Sequence, residues 1–143
     1  MDQHTDDIDQ GARTAPGTEV GMDPVRAAAR RIADRTVCVD VDDTICFTPG
    51  FEYASSVPNE PVVAKLRELH AAGWRIVLHT ARGQGRSGGR IETVADVVYA
   101  EVEEFCTRFH VPYDEIIVGK PLARWYVDDK ALRPDEFVTM DLT

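Results

Sequence analysis

The stretch Val37-Cys38-Val39-Asp40-Val41-Asp42-Asp43-Thr44 decides how the rest of the chain is interpreted. A short run rich in β-branched residues leads directly into three carboxylates and a hydroxyl. Such a run is typical of a strand that is buried inside a parallel sheet. Because carboxylates are costly to bury without partners, this strand should deliver them to an exposed edge. We therefore expect Asp40 and Asp42 to face a ligand crevice at the carboxyl end of the strand, where a cation or a retained proton would relieve their repulsion.

Apolar runs and helical patterns alternate outward from this strand. The predicted strands are Thr36–Val41, Trp74–Thr80, Glu115–Val118 and Trp125–Val127. The predicted helices between them are Pro61–Ala72 and, approximately, Ile91–Phe109. Strands that alternate with helices indicate βαβ connections and therefore an α/β domain with a central parallel sheet, which we place at residues 36–143.

The N-terminal part of the chain has a different composition. Residues 1–22 are polar and acidic with few apolar side chains, so we expect this tail to be disordered. Asp23-Pro24 is typical of an N-cap followed by the first helical residue, which predicts a helix within residues 23–35. We expect the narrow apolar stripe of this helix to pack on the domain. The alternative is that the helix or the tail docks a partner or a second copy in a homo-oligomer.

Length and charge limit the classes of function. The chain has 143 residues with 43% hydrophobic content, which suits one domain. A net charge of −9 opposes binding to a nucleic-acid backbone or an anionic membrane. The three cysteines are scattered, which favours reduced thiols over a disulfide framework. Because the first residues also lack the pattern of a signal peptide, we expect a cytoplasmic protein.

Polar side chains follow or end all four predicted strands. They are Asp40 and Asp42, Thr80, Lys120, and Asp128 and Asp129. In a parallel sheet these ends lie on one edge, so the set would meet there. Hard oxygen ligands of this kind favour Mg²⁺, whereas the scattered histidines and unpaired cysteines do not match a zinc site.

The same residues carry a family resemblance. Asp40-Val41-Asp42-Asp43-Thr44 resembles the DxDxT signature of haloacid dehalogenase-like (HAD) phosphatases, and Thr80, Lys120 and Asp128-Asp129 resemble the other three motifs in order. Longer segments resemble small, capless phosphatases associated with capsular polysaccharide biosynthesis. These segments are Asp42–Cys46, His79–Gly83, Gly119–Pro121 and Tyr126–Phe137. The resemblance covers roughly Arg35 to Phe137 and implies a single three-layer Rossmann-like domain without a large cap domain.

The resemblance also implies a role for each residue. Asp40 would attack phosphorus as the nucleophile and form an aspartyl-phosphate. Asp42 would protonate the leaving oxygen and then take a proton from water. Thr80 would bind a phosphoryl oxygen, and Lys120 would balance negative charge on Asp40 and on the transferring group.

The implied cofactor is Mg²⁺. Its ligands would be Asp40, the backbone carbonyl of Asp42, and Asp128, with Asp129 close by or acting through water. Asp43, by contrast, is expected to have a structural role.

Two further segments have open interpretations. The loop at residues 81–89 and the adjoining Arg90 form a locally basic region, which is either a solvated loop or a site for a second anionic group on the substrate, with Arg82 as the binding residue. Residues 45–59 are expected to form a small flap, whose aromatic residues either pack within it or contact substrate. These aromatics are Phe47, Phe51 and Tyr53.

The leading functional prediction is a Mg²⁺-dependent phosphomonoesterase that acts on a small sugar or polyol phosphate in glycan or related biosynthesis. One alternative is a phosphatase of nucleotides or nucleic-acid ends, which the acidic charge disfavours. A second is a non-catalytic module that binds a partner through the N-terminal helix and tail.

Overall fold

The computed structural model describes residue 21 and residues 23–142. Within them, five strands are present: β1 (Thr36–Val39), β2 (Cys46–Phe47), β3 (Val57–Pro58), β4 (Arg75–Thr80) and β5 (Glu115–Val118). Four α-helices accompany them: α1 (Pro24–Ala33), α2 (Glu60–Ala71), α3 (Ala95–Phe109) and α4 (Pro134–Thr139). The predicted tail at residues 1–22 lies outside the described residues, apart from Gly21.

The central sheet is parallel, as the alternating pattern predicted. Its strand order is β1-β4-β5. Thr36 pairs with Arg75 at one end of the β1–β4 ladder, and Thr80 pairs with Val118 at the far end of the β4–β5 ladder. This register aligns the carboxyl ends of the three strands, and it therefore places the residues that follow them along one edge.

Each connecting helix forms because its apolar residues recur at helical spacing and are buried. In α2 the buried apolar residues are Val62, Val63, Leu66 and Leu69, and in α3 they are Val98, Val102, Phe105 and Cys106. These side chains join strand residues such as Ile76 and Leu78 in one hydrophobic core. Helix α3 begins at Ala95, later than predicted, because Ile91–Thr93 forms a separate 3₁₀ turn.

The segment between β1 and α2 forms a small flap, which we define as residues 45–59. Its strands β2 and β3 pair as an antiparallel hairpin, and two 3₁₀ turns lie between them. The Asn59 side-chain amide donates to the Thr44 carbonyl at 2.9 Å, which fixes the base of the flap to the turn after β1.

The predicted fourth strand at Trp125–Val127 is wrong. This segment forms no strand, and its three side chains are exposed, Val127 to 98%. Only residues 119–124 separate it from β5, whereas a parallel crossover needs about a dozen residues or more. The apolar composition was therefore a misleading signal for a strand.

Helix α1 packs on the domain only slightly. Asp23 caps the helix as predicted, accepting a hydrogen bond from the Val25 N–H at 3.1 Å. However, no residue of α1 is buried, and Val25 and Ile32 are 73% and 66% exposed. Within the helix only Ala27 and Ala28 are partly buried.

Within the described part of the chain, no helix combines the length and apolar character needed to cross a membrane. All three cysteines are free thiols, as predicted.

Candidate functional site

The carboxyl edge of the sheet brings together three of the predicted residues. Asp40 follows β1, Thr80 ends β4, and Lys120 follows β5. The Lys120 backbone N–H donates to the Thr80 carbonyl at 3.0 Å, which joins the ends of β4 and β5. The Lys120 ammonium nitrogen lies 3.6 Å from Oδ1 of Asp40. The edge therefore carries a cation paired with a partly exposed carboxylate.

Lys120 is held in place from several sides. The Gln84 side-chain amide donates to its carbonyl at 3.1 Å, so the loop after β4 supports its backbone. The Tyr126 ring lies under its ammonium group, 4.2 Å from nitrogen to ring centroid. Only 17% of the lysine side chain is exposed, so the ammonium is directed toward Asp40 rather than into solvent.

A tight turn after β1 presents the acidic residues. The N–H groups of Thr44 and Ile45 both donate to the Val41 carbonyl, and the Thr44 hydroxyl donates to Oδ2 of Asp40 at 3.4 Å. Asp43 has a positive φ of 59° and donates its N–H to the Cys46 carbonyl. Aspartate is among the residues that tolerate this left-handed conformation, so Asp43 serves the turn, in keeping with its expected structural role.

Asp42 is bound by Arg82 in a two-point contact. Nη2 of Arg82 lies 2.8 Å from Oδ1 of Asp42, and Nε lies 3.2 Å from Oδ2. The arginine side chain is 2% exposed, whereas that of Asp42 is 35% exposed. Burial lowers the pKa of Arg82, but the hydrogen bonds and charge of Asp42 outweigh it and raise the pKa above its ordinary value. The guanidinium therefore stays charged.

Further groups surround this arginine. Nη1 of Arg82 lies 3.5 Å from Glu101, and the Tyr53 ring of the flap lies 3.9 Å from the guanidinium carbon. Glu101 also accepts two hydrogen bonds from Arg86, at 2.8 and 3.0 Å. Two arginines of the basic loop thus bind acidic residues of the same chain. The substrate-binding role predicted for Arg82 stays untested, but its geometry favours a role within the protein.

Thr80 is fully buried. Its hydroxyl oxygen accepts the Arg82 backbone N–H at 3.0 Å, which begins the turn after β4. The predicted contact of Thr80 with a phosphoryl oxygen stays a prediction, since the observed role of the hydroxyl is structural.

Asp128 and Asp129 lie in the exposed segment that replaces the predicted fourth strand. Oδ1 of Asp128 accepts the Lys130 N–H at 2.7 Å, and Asp129 pairs with the Lys130 ammonium at 3.1 Å. Hydrogen bonding and charge from Lys130 lower the pKa of Asp129. Among residues 21 and 23–142, no three His, Cys, Asp or Glu side chains lie close enough to hold a metal ion. The site that the resemblance implies uses two carboxylates, Asp40 and Asp128, with the Asp42 backbone carbonyl, and it stays a prediction.

Two neutral groups lie beside the charged ones. Burial, followed by the charge of Lys120, lowers the pKa of His79, so this imidazole is neutral at pH 7. Burial, followed by the charge of Asp42, raises the pKa of Cys46 to about 11, so this thiol stays protonated.

Sequence reasoning missed several supporting residues. Gln84 and Tyr126 contact Lys120, Glu101 contacts Arg82, and Thr44 contacts Asp40. Tyr53 was assigned to the flap, and its place among three flap aromatics was the only signal of its contact with Arg82. For Glu101, a position on the polar face of α3 gave no indication of a partner.

Comparisons with known proteins find similar solved structures. No protein-family model matches the chain, and no curated protein matches it significantly. The Pnkp1/Rnl/Hen1 RNA repair complex contains a chain with 18% identity and a TM-score of 0.43, and the match covers 72% of this chain and 28% of that one.

A second similar protein is an MCSG target from Vibrio cholerae, whose crystal structure is known. It is 35% identical with a TM-score of 0.72, and the match covers 76% of this chain and 90% of that one. Identity at this level over most of both chains shows that this chain belongs to the same family as the Vibrio cholerae protein.

Proposed function

We propose that this chain is a phosphomonoester hydrolase of the HAD type that works through an aspartyl-phosphate on Asp40. The supporting observation is the pair formed by Asp40 and Lys120, which meet at the carboxyl edge of the sheet although they follow different strands. A nucleophilic carboxylate needs a neighbouring cation, because the substrate that it attacks is also an anion. Lys120 meets this need at 3.6 Å from Oδ1.

The residues present support two chemical steps. In the first, a carboxylate oxygen of Asp40 forms a bond to phosphorus while the ester bond to the leaving oxygen breaks. Asp42, in its protonated form, gives its proton to that oxygen, so the product leaves as an alcohol. Lys120 stabilises the negative charge that spreads over Asp40 and the phosphoryl group.

The second step returns the enzyme to its starting state. A water molecule attacks phosphorus, and the bond between Asp40 and phosphorus breaks to release inorganic phosphate. The Asp42 carboxylate accepts the proton of that water and is then ready to protonate the next leaving oxygen. One residue can serve both steps because its side chain is 35% exposed at the edge where both occur.

The proposal includes Mg²⁺ dependence only because the motifs resemble those of HAD phosphatases. In such enzymes the metal lowers the repulsion between the nucleophile and the anionic substrate. Asp128 and Asp129 form hydrogen bonds with Lys130, so the contacts of the described residues do not support Mg²⁺ binding by these two carboxylates.

The substrate that we propose is a small sugar or polyol phosphate. Only residues 40–59 separate β1 from α2, and only residues 81–94 separate β4 from α3. Neither connection is long enough for a cap domain, so Asp40 and Asp42 remain partly exposed. The net charge of −9 disfavours long polyanions and so favours a small phosphate ester.

The decisive experiment is a panel of phosphorylated metabolites assayed with Mg²⁺, with wild type beside Asp40→Asn. We expect wild type to release phosphate from at least one sugar or polyol phosphate, and Asp40→Asn to lose that activity while it keeps its circular dichroism spectrum. Rapid acid quenching should also trap a phosphorylated chain that hydroxylamine cleaves, and Asp40→Asn should not form it. Turnover that survives in Asp40→Asn would overturn the proposal.

A further inference from the structure

We propose that helix α1 of one chain docks on helix α3 of a second copy, so that two copies form a symmetric dimer through two identical contacts. The proposal chooses the homo-oligomer among the roles that the sequence left open for the N-terminal helix. It is independent of the proposed function, because neither helix face includes the Asp40–Lys120 pair.

The first argument is the apolar surface that α1 leaves in solvent. No residue of α1 is buried, and Val25 and Ile32 are 73% and 66% exposed. The exposed Ala29 lies between them, because residues three or four apart are neighbours on one helix face. A helix of 10 residues is marginal in water by itself. Packing of this face against another surface would therefore stabilise α1.

The second argument is the charge of α1 and of the two residues that follow it. Residues 24–35 contain four of the 16 basic residues of the chain: Arg26, Arg30, Arg31 and Arg35. Arg26 and Arg31 form no ion pair within the described residues. The rest of the chain is strongly acidic, since the net charge is −9. A surface that fits this helix should therefore be acidic and should include an apolar patch.

Helix α3 provides such a surface. Among the α-helices of the described residues, α1 and α3 alone expose large hydrophobic side chains. On α3, Val97 is 55% exposed, and the exposed Ala100 is its neighbour at helical spacing. Three exposed carboxylates neighbour Ala100 on the same helix: Asp96, Glu103 and Glu104. An apolar patch bordered by carboxylates on α3 thus complements an apolar patch bordered by arginines on α1.

The carboxylates of α3 are only weakly engaged within the chain. Glu104 lies 3.9 Å from Arg108, and both side chains are exposed, so this ion pair contributes little. Glu103 accepts one hydrogen bond from the Tyr113 hydroxyl at 3.3 Å. Both carboxylates can therefore also bind an arginine of another molecule.

A second copy is the partner because both complementary surfaces belong to this chain. A two-fold axis repeats the contact, with each α1 on the α3 of the other copy. The repeat matters because a stable interface buries about 1,200 Å² or more, which a single contact between two short helices does not reach. The net charge of −9 repels two copies, and the basic α1 reverses that repulsion locally.

The test is sedimentation equilibrium of the full chain over a range of protein concentrations. We expect wild type to dimerise, and we expect about 1 M salt to weaken the dimer, because it shortens the Debye length to about 3 Å. One variant combines Arg26→Glu with Arg31→Glu, and the other combines Glu103→Arg with Glu104→Arg. Each variant alone should raise the dissociation constant about 10²-fold, because like charges then face each other.

Mixing the two variants is the decisive step. In a dimer of one variant with the other, both contacts again pair opposite charges, so the mixture should dimerise about as tightly as wild type. Ile32→Ser tests the apolar part, and we expect a dissociation constant raised about 10-fold. Arg124→Glu is the control, since it reverses a charge in the exposed loop after β5, and it should dimerise like wild type.

Three outcomes would overturn the inference. They are a wild type that stays monomeric, a dimer that neither charge variant weakens, and a mixture of folded variants that does not restore association. A monomeric wild type would assign α1 to another partner, such as an acidic protein. Circular dichroism shows whether each variant is folded. None of these results affects the proposed hydrolase function, which phosphate release tests separately.

Discussion

The Lys120 ammonium nitrogen lies 3.6 Å from Oδ1 of Asp40, although the two residues follow the two outer strands of the sheet. The contact exists because β4 lies between those strands and its Thr80 carbonyl binds the Lys120 backbone N–H. The central strand thus aligns a cation with a carboxylate across the edge.

Replacing Lys120 should therefore reduce catalysis more than binding. We expect Lys120→Met to lower kcat by about 10²- to 10³-fold, because the charge that it stabilises develops in the transition state. The measurement is steady-state phosphate release on the best substrate from the metabolite panel. Arg75→Met is the control, since Arg75 begins β4 at the opposite edge, where it pairs with Glu115. An unchanged kcat for Lys120→Met would contradict the proposed role.

Thr80 should contribute chiefly to stability. Thr80→Val keeps the shape of the side chain but leaves the buried Arg82 N–H without its acceptor. We expect a loss of about 1–3 kcal/mol in the free energy of unfolding, measured by urea denaturation. Thr80→Ser keeps the acceptor and should lose less. If Thr80→Val unfolds like wild type but has a raised KM, then the hydroxyl binds phosphate as the sequence predicted.

The sequence predicted the parts of this fold that depend on local pattern. Strand β1, the periodicity of α3 and the polar residues that follow or end β1, β4 and β5 could be predicted, because period and burial are coupled. The edge location of Lys120 followed once the sheet was assumed to be parallel.

Contacts between residues far apart in the sequence were harder to predict. Trp125–Val127 has the composition of a strand, yet the short connection from β5 prevents a parallel crossover. The contact between Arg82 and Asp42 depends on how two turns pack in space, and no local spacing encodes it. This is why the basic loop was interpreted as either a solvated loop or a substrate site, whereas two of its arginines bind Asp42 and Glu101.

The cysteines should differ sharply in reactivity. Cys38 is exposed, whereas Cys46 and Cys106 are buried, and burial raises their pKa values to about 11 and about 12. Since the thiolate is the reactive form, we expect Ellman's reagent at pH 8 to modify Cys38 rapidly and the other two only after unfolding. Burial also raises the pKa of Cys38, so its rate should keep increasing above pH 9.

Cys38→Ser is the matched variant for this measurement, and it should abolish the fast phase. A fast phase that persists would show that a second thiol is accessible in the native chain.

His79 should make the native state more sensitive to acid. Burial and the charge of Lys120 lower its pKa in the folded chain, while the unfolded chain keeps a value of about 6.5. The unfolded state therefore binds a proton first, and stability falls as the pH drops below about 6.5, until the folded pKa is passed. We expect the thermal midpoint to decrease less for His79→Asn than for wild type when the pH is lowered from 7.5 to 5.5. An equal loss in both proteins would show that His79 contributes nothing to the acid sensitivity.

Gly83 should be the position in the loop after β4 that tolerates a side chain least. It has a φ of +92°, and an added Cβ would lie 2.7 Å from Val98 and 2.9 Å from Ile91. We expect Gly83→Ala to lower the free energy of unfolding by about 2–4 kcal/mol, from left-handed strain together with overpacking. Gly85 is the matched control, because nothing lies within 4 Å of its added Cβ. Gly85→Ala should stay within about 1 kcal/mol of wild type. Urea denaturation of the three proteins makes the comparison, and equal midpoints for the two variants would show that the loop does not pack against α3 as described.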